Sequence, residues 1–297
     1  MENIRERIVS CAGRVWFCAK ELLKWLALAM ITGVPCGIIG AAFDLAVEHV
    51  TELRTEHTAI LFLLPVIGLV IVAFYKAAKL EGVSTDDMID CVKDGKPIRF
   101  WLLPVMFIST VLTHLGGGSA GREGAALQMG GTIGQCMGRT FRLDDRDLRV
   151  ATLAGMAAFF SALFGTPLTA AVFAMEVISV GVFYYAGLIP CLTAALVGYL
   201  VSLMMKVPPT RFTVADPGLD AWTMVLVILL AIGCAVVSIL FCRGLQETGR
   251  RAARLLPNPF IRAFVGGVLV IGLTLLVGNT DYNGAGMEVV GRAIGGE

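Results

Sequence analysis

Charge is scarce in this sequence. Only 16% of its 297 residues are Asp, Glu, Lys or Arg, against about 25% in an average soluble domain, and that deficit argues against one core inside a water-covered surface. The 24 basic and 23 acidic residues leave a net charge of +1. No broad cationic field is available to hold a phosphate backbone, so nucleic acid is excluded as a partner. Histidine is nearly missing: His49, His57 and His114 are scattered along the chain and make no metal cluster. The eight cysteines contain no Cys-x-x-Cys pair and sit mostly in apolar sequence, where a free thiol behaves as a small hydrophobe. Neither a disulfide framework nor a zinc site is expected, and no cofactor is implied.

What the chain has instead is apolar length. Hydrophobic residues make up 57% of it and its mean hydropathy is +0.79. Uncharged stretches run over Trp25 to Phe43, Thr58 to Tyr75, Phe100 to Gly121, Val150 to Met175, Val177 to Met205, Ala221 to Cys242 and Ala263 to Thr280. Each meets or nearly meets the roughly 20 residues a helix needs to span hydrocarbon; an eighth, Gly124 to Gly138, falls short. The bilayer interior offers no water to backbone groups, so such segments must be helical there. The sequence therefore predicts an all-α polytopic membrane protein in the lipid bilayer of the cell membrane. Arg5, Arg7, Arg14, Lys20 and Lys24 place the N-terminus in the cytoplasm by the positive-inside tendency. The acid-rich Thr51 to Glu56 fits the opposite side. Trp25 to Phe43 is too long for a cleavable signal core.

Glycine and proline interrupt these segments at Gly33-Val34-Pro35, Gly116-Gly117-Gly118-Ser119, Gly130-Gly131, Gly165-Thr166-Pro167 and Gly266-Gly267. Broken membrane helices often end at a cavity inside the protein, whereas small residues elsewhere permit close helix packing. The cavity reading attaches to positions 116 to 131, where glycines flank a charged pair. Shifting the chain by 198 positions aligns Cys36 with Cys234, Phe43 with Phe241 and Gly68 with Gly266, a pattern shared by duplication and by chance. The organisation expected is a segment 1–24, a first transmembrane repeat 25–206 carrying the site, and a partial second repeat 207–297.

The chemistry concentrates at Gly121-Arg122-Glu123-Gly124-Ala125. A helix starting near Glu123 would present unpaired N–H groups and the positive end of its dipole, and the glycines would let an ion approach closely. That is a place for an anion. The Glu123 carboxylate can itself occupy it, and protonation would vacate it, coupling anion exchange to proton movement. The plainer reading has Glu123 complementing the dipole from a wet surface, with Arg122 in water or headgroups. Gly117-Gly118-Ser119-Ala120-Gly121 also matches the Gly-x-Ser-x-Gly string of hydrolases. No strand pattern precedes it, and the chain is not expected to be an enzyme.

Gly121-Arg122-Glu123-Gly124, continued by Gln128-Met129-Gly130-Gly131, Ile133-Gly134, Phe141-Arg142-Leu143 and Phe164-Gly165-Thr166-Pro167-Leu168, resembles the CLC family of chloride channels and anion/proton antiporters. The resemblance implies inverted repeats of tilted and broken helices, a homodimer with one pathway per subunit, and Glu123 as the gating glutamate. Chloride-handling members carry Gly-Ser-Gly-Ile-Pro at an earlier half-helix, where this chain has Gly82-Val83-Ser84-Thr85-Asp86. The family's proline after Gly-Arg-Glu-Gly is Ala125 here. Both departures resemble the fluoride/proton antiporter branch, so fluoride export by fluoride/proton antiport is favoured, with chloride/proton antiport or a chloride channel as the alternative. Anion donors would come from Val83, Ser84, Thr85, Gly121, Arg122, Gly124 and Ala125.

Glu176 is the one formal charge between Arg149 and Lys206. An ionised carboxylate at mid-membrane costs about 2.5 kcal/mol or more, so it reads either as a station on a proton path or as a hydrogen-bonded structural acid. In proton-coupled chloride exchangers the internal glutamate would fall at Val177. His114 is expected to hydrogen-bond within its helix, and Phe183-Tyr184-Tyr185 to pack at an interface. The family's Gly-x-Phe-x-Pro motif and late pore tyrosine are not found, which gives the expectation of an incomplete second repeat and the further alternative of a nonconducting fragment or a subunit needing a second chain.

Overall fold

A computed structural model describes residues 2–178, 184–212, 218 and 220–296; before position 19 it describes the side chain of Trp16 alone. Phe183, expected at an interface, and the side chains of Arg5, Arg7 and Arg14 lie outside the described residues. The chain runs α1 Glu2–Glu56, a 3₁₀ turn Thr58–Leu63, α2 Leu64–Ala77, α3 Thr85–Asp94, α4 Leu102–Leu115, α5 Glu123–Thr140, α6 Asp145–Phe164 and α7 Pro167–Glu176. After a second 3₁₀ turn, Tyr185–Gly187, come α8 Leu188–Met204, α9 Ala221–Leu255, α10 Pro259–Val277 and α11 Met287–Gly295.

Among the described residues six helices are long and apolar enough to cross a membrane, and α4 and α7 are shorter apolar helices. This corrects the uncharged-run reading at Phe100 to Gly121 and agrees with the interruption expected at Gly165-Thr166-Pro167. Phe100 to Gly121 yields only the 14 residues of α4, because Gly117 takes φ +74° and its N–H bonds back to the His114 carbonyl at 3.1 Å. Val150 to Met175 is cut by Gly165, at φ +69°, followed by Pro167 at the first position of α7, where the missing N–H costs nothing. Helix α1 runs from Glu2 unbroken through Pro35 to Glu56, and its apolar, membrane-length part is Ala19–Glu56.

The core forms where α5, α6, α1 and α8 pack around Phe43, Met129, Leu153, Met156 and Phe159. Glycine makes the approach close enough. A Cβ on Gly130 would lie 2.5 Å from the Gly155 carbonyl oxygen and 2.7 Å from the Phe159 Cβ, and one on Gly33 would lie 2.8 Å from the Val197 Cβ. Gly33-Val34-Pro35 and Gly130-Gly131 are therefore packing features, as small residues commonly are between membrane helices. Helices α2 and α10 pack together, with Gly68 facing Ala263 and Gly267 facing Pro65, while Gly266, the residue that the offset of 198 aligns with Gly68, has nothing within 4 Å.

Two anchors fix direction. Lys24 pairs with Asp147 at 2.5 Å, at the start of α6. At the other end of α1, Arg54 lies against Gly117 in the turn after α4. Helix α5 thus begins on the Arg54 side and ends on the Lys24 side. Helix α9, by contrast, has no buried residue among those described.

Candidate functional site

The site is built where two helices begin. Helix α3 starts at Thr85 under a reciprocal cap: Ser84 Oγ accepts from the Asp87 N–H at 3.3 Å, and the Ser84 N–H donates to Asp87 Oδ2 at 2.7 Å. The Ser84 hydroxyl also donates to Asp87 Oδ2, at 2.8 Å. These bonds hold the Asp87 carboxyl below the usual carboxylate range. The Val83 N–H is committed as well, to the Leu80 carbonyl at 3.2 Å. Of the three residues expected to supply donors, Val83 and Ser84 spend theirs locally, and Thr85 retains its own.

Thr85 faces α5. Its Oγ1 accepts a 3.0 Å hydrogen bond from Gln128 Nε2, which leaves the hydroxyl proton available to donate elsewhere. A Cβ on Gly124 would sit 3.0 Å from the same oxygen, so the two helix starts meet with no side chain between them. In α5 the Ala126 N–H closes onto the Arg122 carbonyl at 2.9 Å. The amides of Glu123, Gly124 and Ala125 precede that bond and belong to the unpaired first turn.

The Glu123 side chain is exposed and folds back across the chain. A Cβ on Gly121 would overlap its Oε2 atom, so only a glycine at 121 leaves room for this carboxylate position. Ala125 is buried. Arg122 is not in solvent: its guanidinium pairs with Asp44 of α1 and lies 5.7 Å from the Phe164 ring. The sequence alone marks neither Asp44 nor Gln128 as part of a site. Asp44 merely ends an uncharged run, and Gln128 stands inside a longer motif; no local pattern marks partners so far along the chain.

Other candidates are placed elsewhere. Glu176 is the exposed last residue of α7, and the neighbouring Met175 and Ile178 line a cavity of about 210 Å³ with Lys93, Arg149 and Tyr184. The buried His114 hydrogen-bonds through Nδ1 to the Thr110 carbonyl at 2.8 Å, as its position predicts. Ser119 of the hydrolase-like string donates its hydroxyl to the Tyr282 carbonyl, in a link between two helices. Among the described residues no group of three or more metal-ligating side chains comes together.

The model of the voltage gated chloride channel family matches residues 66–297. The chain is 34% identical over 266 residues to a chloride/fluoride channel protein of Pseudomonas syringae pv. tomato, covering 88% of this chain and 58% of that protein. It is 32% identical over 167 residues to an H(+)/Cl(-) exchange transporter, ClcA, of Vibrio vulnificus, covering 51% of this chain and 36% of the relative. Among solved structures, a CLC-type fluoride/proton antiporter superposes with a TM-score of 0.83 at 29% identity, covering 91% of this chain and 69% of that one. A slow cyanobacterial Cl-/H+ antiporter shares the fold, with a TM-score of 0.65 at 22% identity over 82% of this chain and 63% of that one. The chain spans little more than half the length of the Pseudomonas relative.

Proposed function

This chain belongs to the voltage gated chloride channel family, and we propose that it moves a small inorganic anion across the cell membrane, fluoride in preference to chloride, in exchange for protons. Glu123 is the gate and the coupling group. The observation that carries this reading is the Glu123 carboxylate folded over Gly121 at the start of α5, beside the start of α3 at Thr85. An ionised carboxylate there takes the place of the anion at the first-turn amides; once protonated it loses its attraction for the dipole and yields the place.

Fluoride is small and holds its hydration tightly, so close donors must replace the lost water. The Thr85 hydroxyl and the amides of Thr85, Glu123, Gly124 and Ala125 supply them. Val83, which stands where chloride-handling members carry a serine, contributes no side-chain donor. Arg122 acts through its pair with Asp44, holding the first turn of α5 against α1. Glu176, exposed at the end of α7, is a station for protons only if they enter from that end. The N-terminus is cytoplasmic, no catalytic chemistry is assigned, and two copies associate as a homodimer. The exposed Leu168, Leu188, Leu196 and Leu200 offer apolar surface for that association.

The experiment is anion efflux from proteoliposomes, read with fluoride- and chloride-selective electrodes while proton uptake is followed. Fluoride efflux should exceed chloride efflux and be accompanied by proton movement, and Glu123→Gln should abolish the proton component. Proton-coupled fluoride flux of normal size in Glu123→Gln would remove the role given to this residue.

A further inference from the structure

Arg54 is 9% exposed, yet it closes no ion pair within 4.0 Å among the described residues, and its Nε is buried without a hydrogen-bond partner. A guanidinium carries five donors and is never neutral in a protein. Only Nε is sealed from solvent without a partner; the rest of the group borders a cavity, and the cost of leaving its donors unpaired is relieved by an acceptor that enters that cavity.

The surroundings are built to hold the group in place. Gly117 and Gly284 both adopt positive φ, +74° and +76°, and their missing Cβ atoms would sit 3.3 Å from Nη1 and 3.2 Å from Nη2. The guanidinium is thus clasped between the turn after α4 and the link from α10 to α11. Asn283 Nδ2 donates to the Gly117 carbonyl at 2.8 Å, and Ser119 donates to the Tyr282 carbonyl, tying the two segments together. Arg54 opens into a cavity of about 500 Å³ that also reaches His114, Arg122 and Arg211. Five carboxylates line the same space. Asp44 is taken by Arg122 and Asp281 by Arg292. Glu48, Glu52 and Glu288 remain; Glu288 interacts with Arg54 electrostatically without closing a salt bridge.

The geometry points to an anion-binding site at Arg54, in the cavity outside the Glu123 gate, that takes a monovalent halide. The choice of halide rests on the transport reading above; the unmet donors of Arg54 do not. Because the cavity also touches Arg122, the residue before Glu123, an anion held at Arg54 waits next to the gate without occupying the first-turn amides of α5.

The test uses the whole 297-residue chain in detergent. Thermal unfolding is followed while sodium gluconate is exchanged for sodium fluoride or sodium chloride at constant ionic strength, and halide affinity is taken from the shift of the midpoint. Halide should raise the midpoint of the wild type. Arg54→Gln should weaken apparent affinity roughly tenfold, the order expected for losing a charge-assisted donor pair. It should do so equally in a Glu123→Gln background. Arg54→Lys keeps the charge and most of the stem, and should fall between the two. Since each variant is compared with itself in gluconate, a lower starting stability does not mask the shift. If Arg54→Gln and Arg54→Lys titrate like the wild type, the site is refuted; so is it if no halide moves the wild-type midpoint. If Glu123→Gln leaves proton-coupled flux intact while Arg54→Gln still weakens binding, the gate reading falls and the Arg54 site stands.

Discussion

The guanidinium of Arg122 reaches back across 78 positions of sequence to the carboxylate of Asp44, and their side chains are only 13% and 9% exposed. A cation within reach of an anion pathway invites a role as ligand. This one is already neutralised, and its work is to brace α5 against α1. Breaking such a buried pair from one side typically costs about 3–5 kcal/mol, because the other charge is left stranded. Arg122→Gln and Asp44→Asn should each lower the thermal unfolding midpoint substantially. The double variant should lose less than the sum of the two, which a double-mutant cycle checks; strict additivity would mean that the pair does not form.

Gly121 makes room for the gate. Gly121→Ala places a methyl group where Glu123 Oε2 lies, so the carboxylate must leave its folded-back position while the helices around it stay in place. Proton movement per anion should fall and anion leak should rise in proteoliposomes, with the unfolding midpoint changed by less than about 1 kcal/mol in equivalent stability, as for a substitution outside the core. Unchanged coupling would show that the folded-back position is dispensable.

Much of this was legible before any coordinates. The helix start at Glu123, the break at Gly165-Thr166-Pro167 and the bland role of His114 follow from dihedral limits and local hydrogen bonding, which act over a few residues. The length of α4 did not follow, because an uncharged run says nothing about where Gly117 turns the chain. Nor did the fates of Val83 and Ser84. The family resemblance implies anion donors there, and the Asp87 cap that claims Ser84 competes for the same groups within three residues. Asp44, Arg54 and Gln128 are not legible for the opposite reason: their surroundings are supplied by tertiary packing, and a single charge or amide carries no local signature.

The start of α3 tests that competition. Ser84→Ala removes a cap worth about 1 kcal/mol and should loosen α3 at neutral pH, seen as faster amide hydrogen exchange over Thr85–Asp94. Asp87 reports the same cap through pH. Its carboxyl is held below the ordinary value, so its contribution is complete above the unfolded value of about 3.9 and is lost as pH falls through the lower folded value. Slow exchange should therefore persist to about pH 4 and fail below it. An α3 equally protected in Ser84→Ala would contradict the cap.

Thr85→Ala should weaken fluoride binding by roughly tenfold if its hydroxyl donates to the ion, the scale of one hydrogen bond to a charged group, while Thr85→Ser restores it. Gln128→Leu should act in the same direction, by freeing the Thr85 hydroxyl to turn elsewhere. Titration by ¹⁹F line broadening measures both. Fluoride affinity indifferent to all three substitutions would remove Thr85 from the site.

The most direct measurement is the number of protons taken up when fluoride binds, obtained by calorimetry of the chain in buffers of different ionisation enthalpy between pH 5 and 8. A carboxylate that must vacate the first turn of α5 before the ion enters predicts up to one proton absorbed per fluoride, affinity that rises as pH falls, and loss of both effects in Glu123→Gln. Fluoride binding that takes up no proton and has the same affinity at every pH would contradict it.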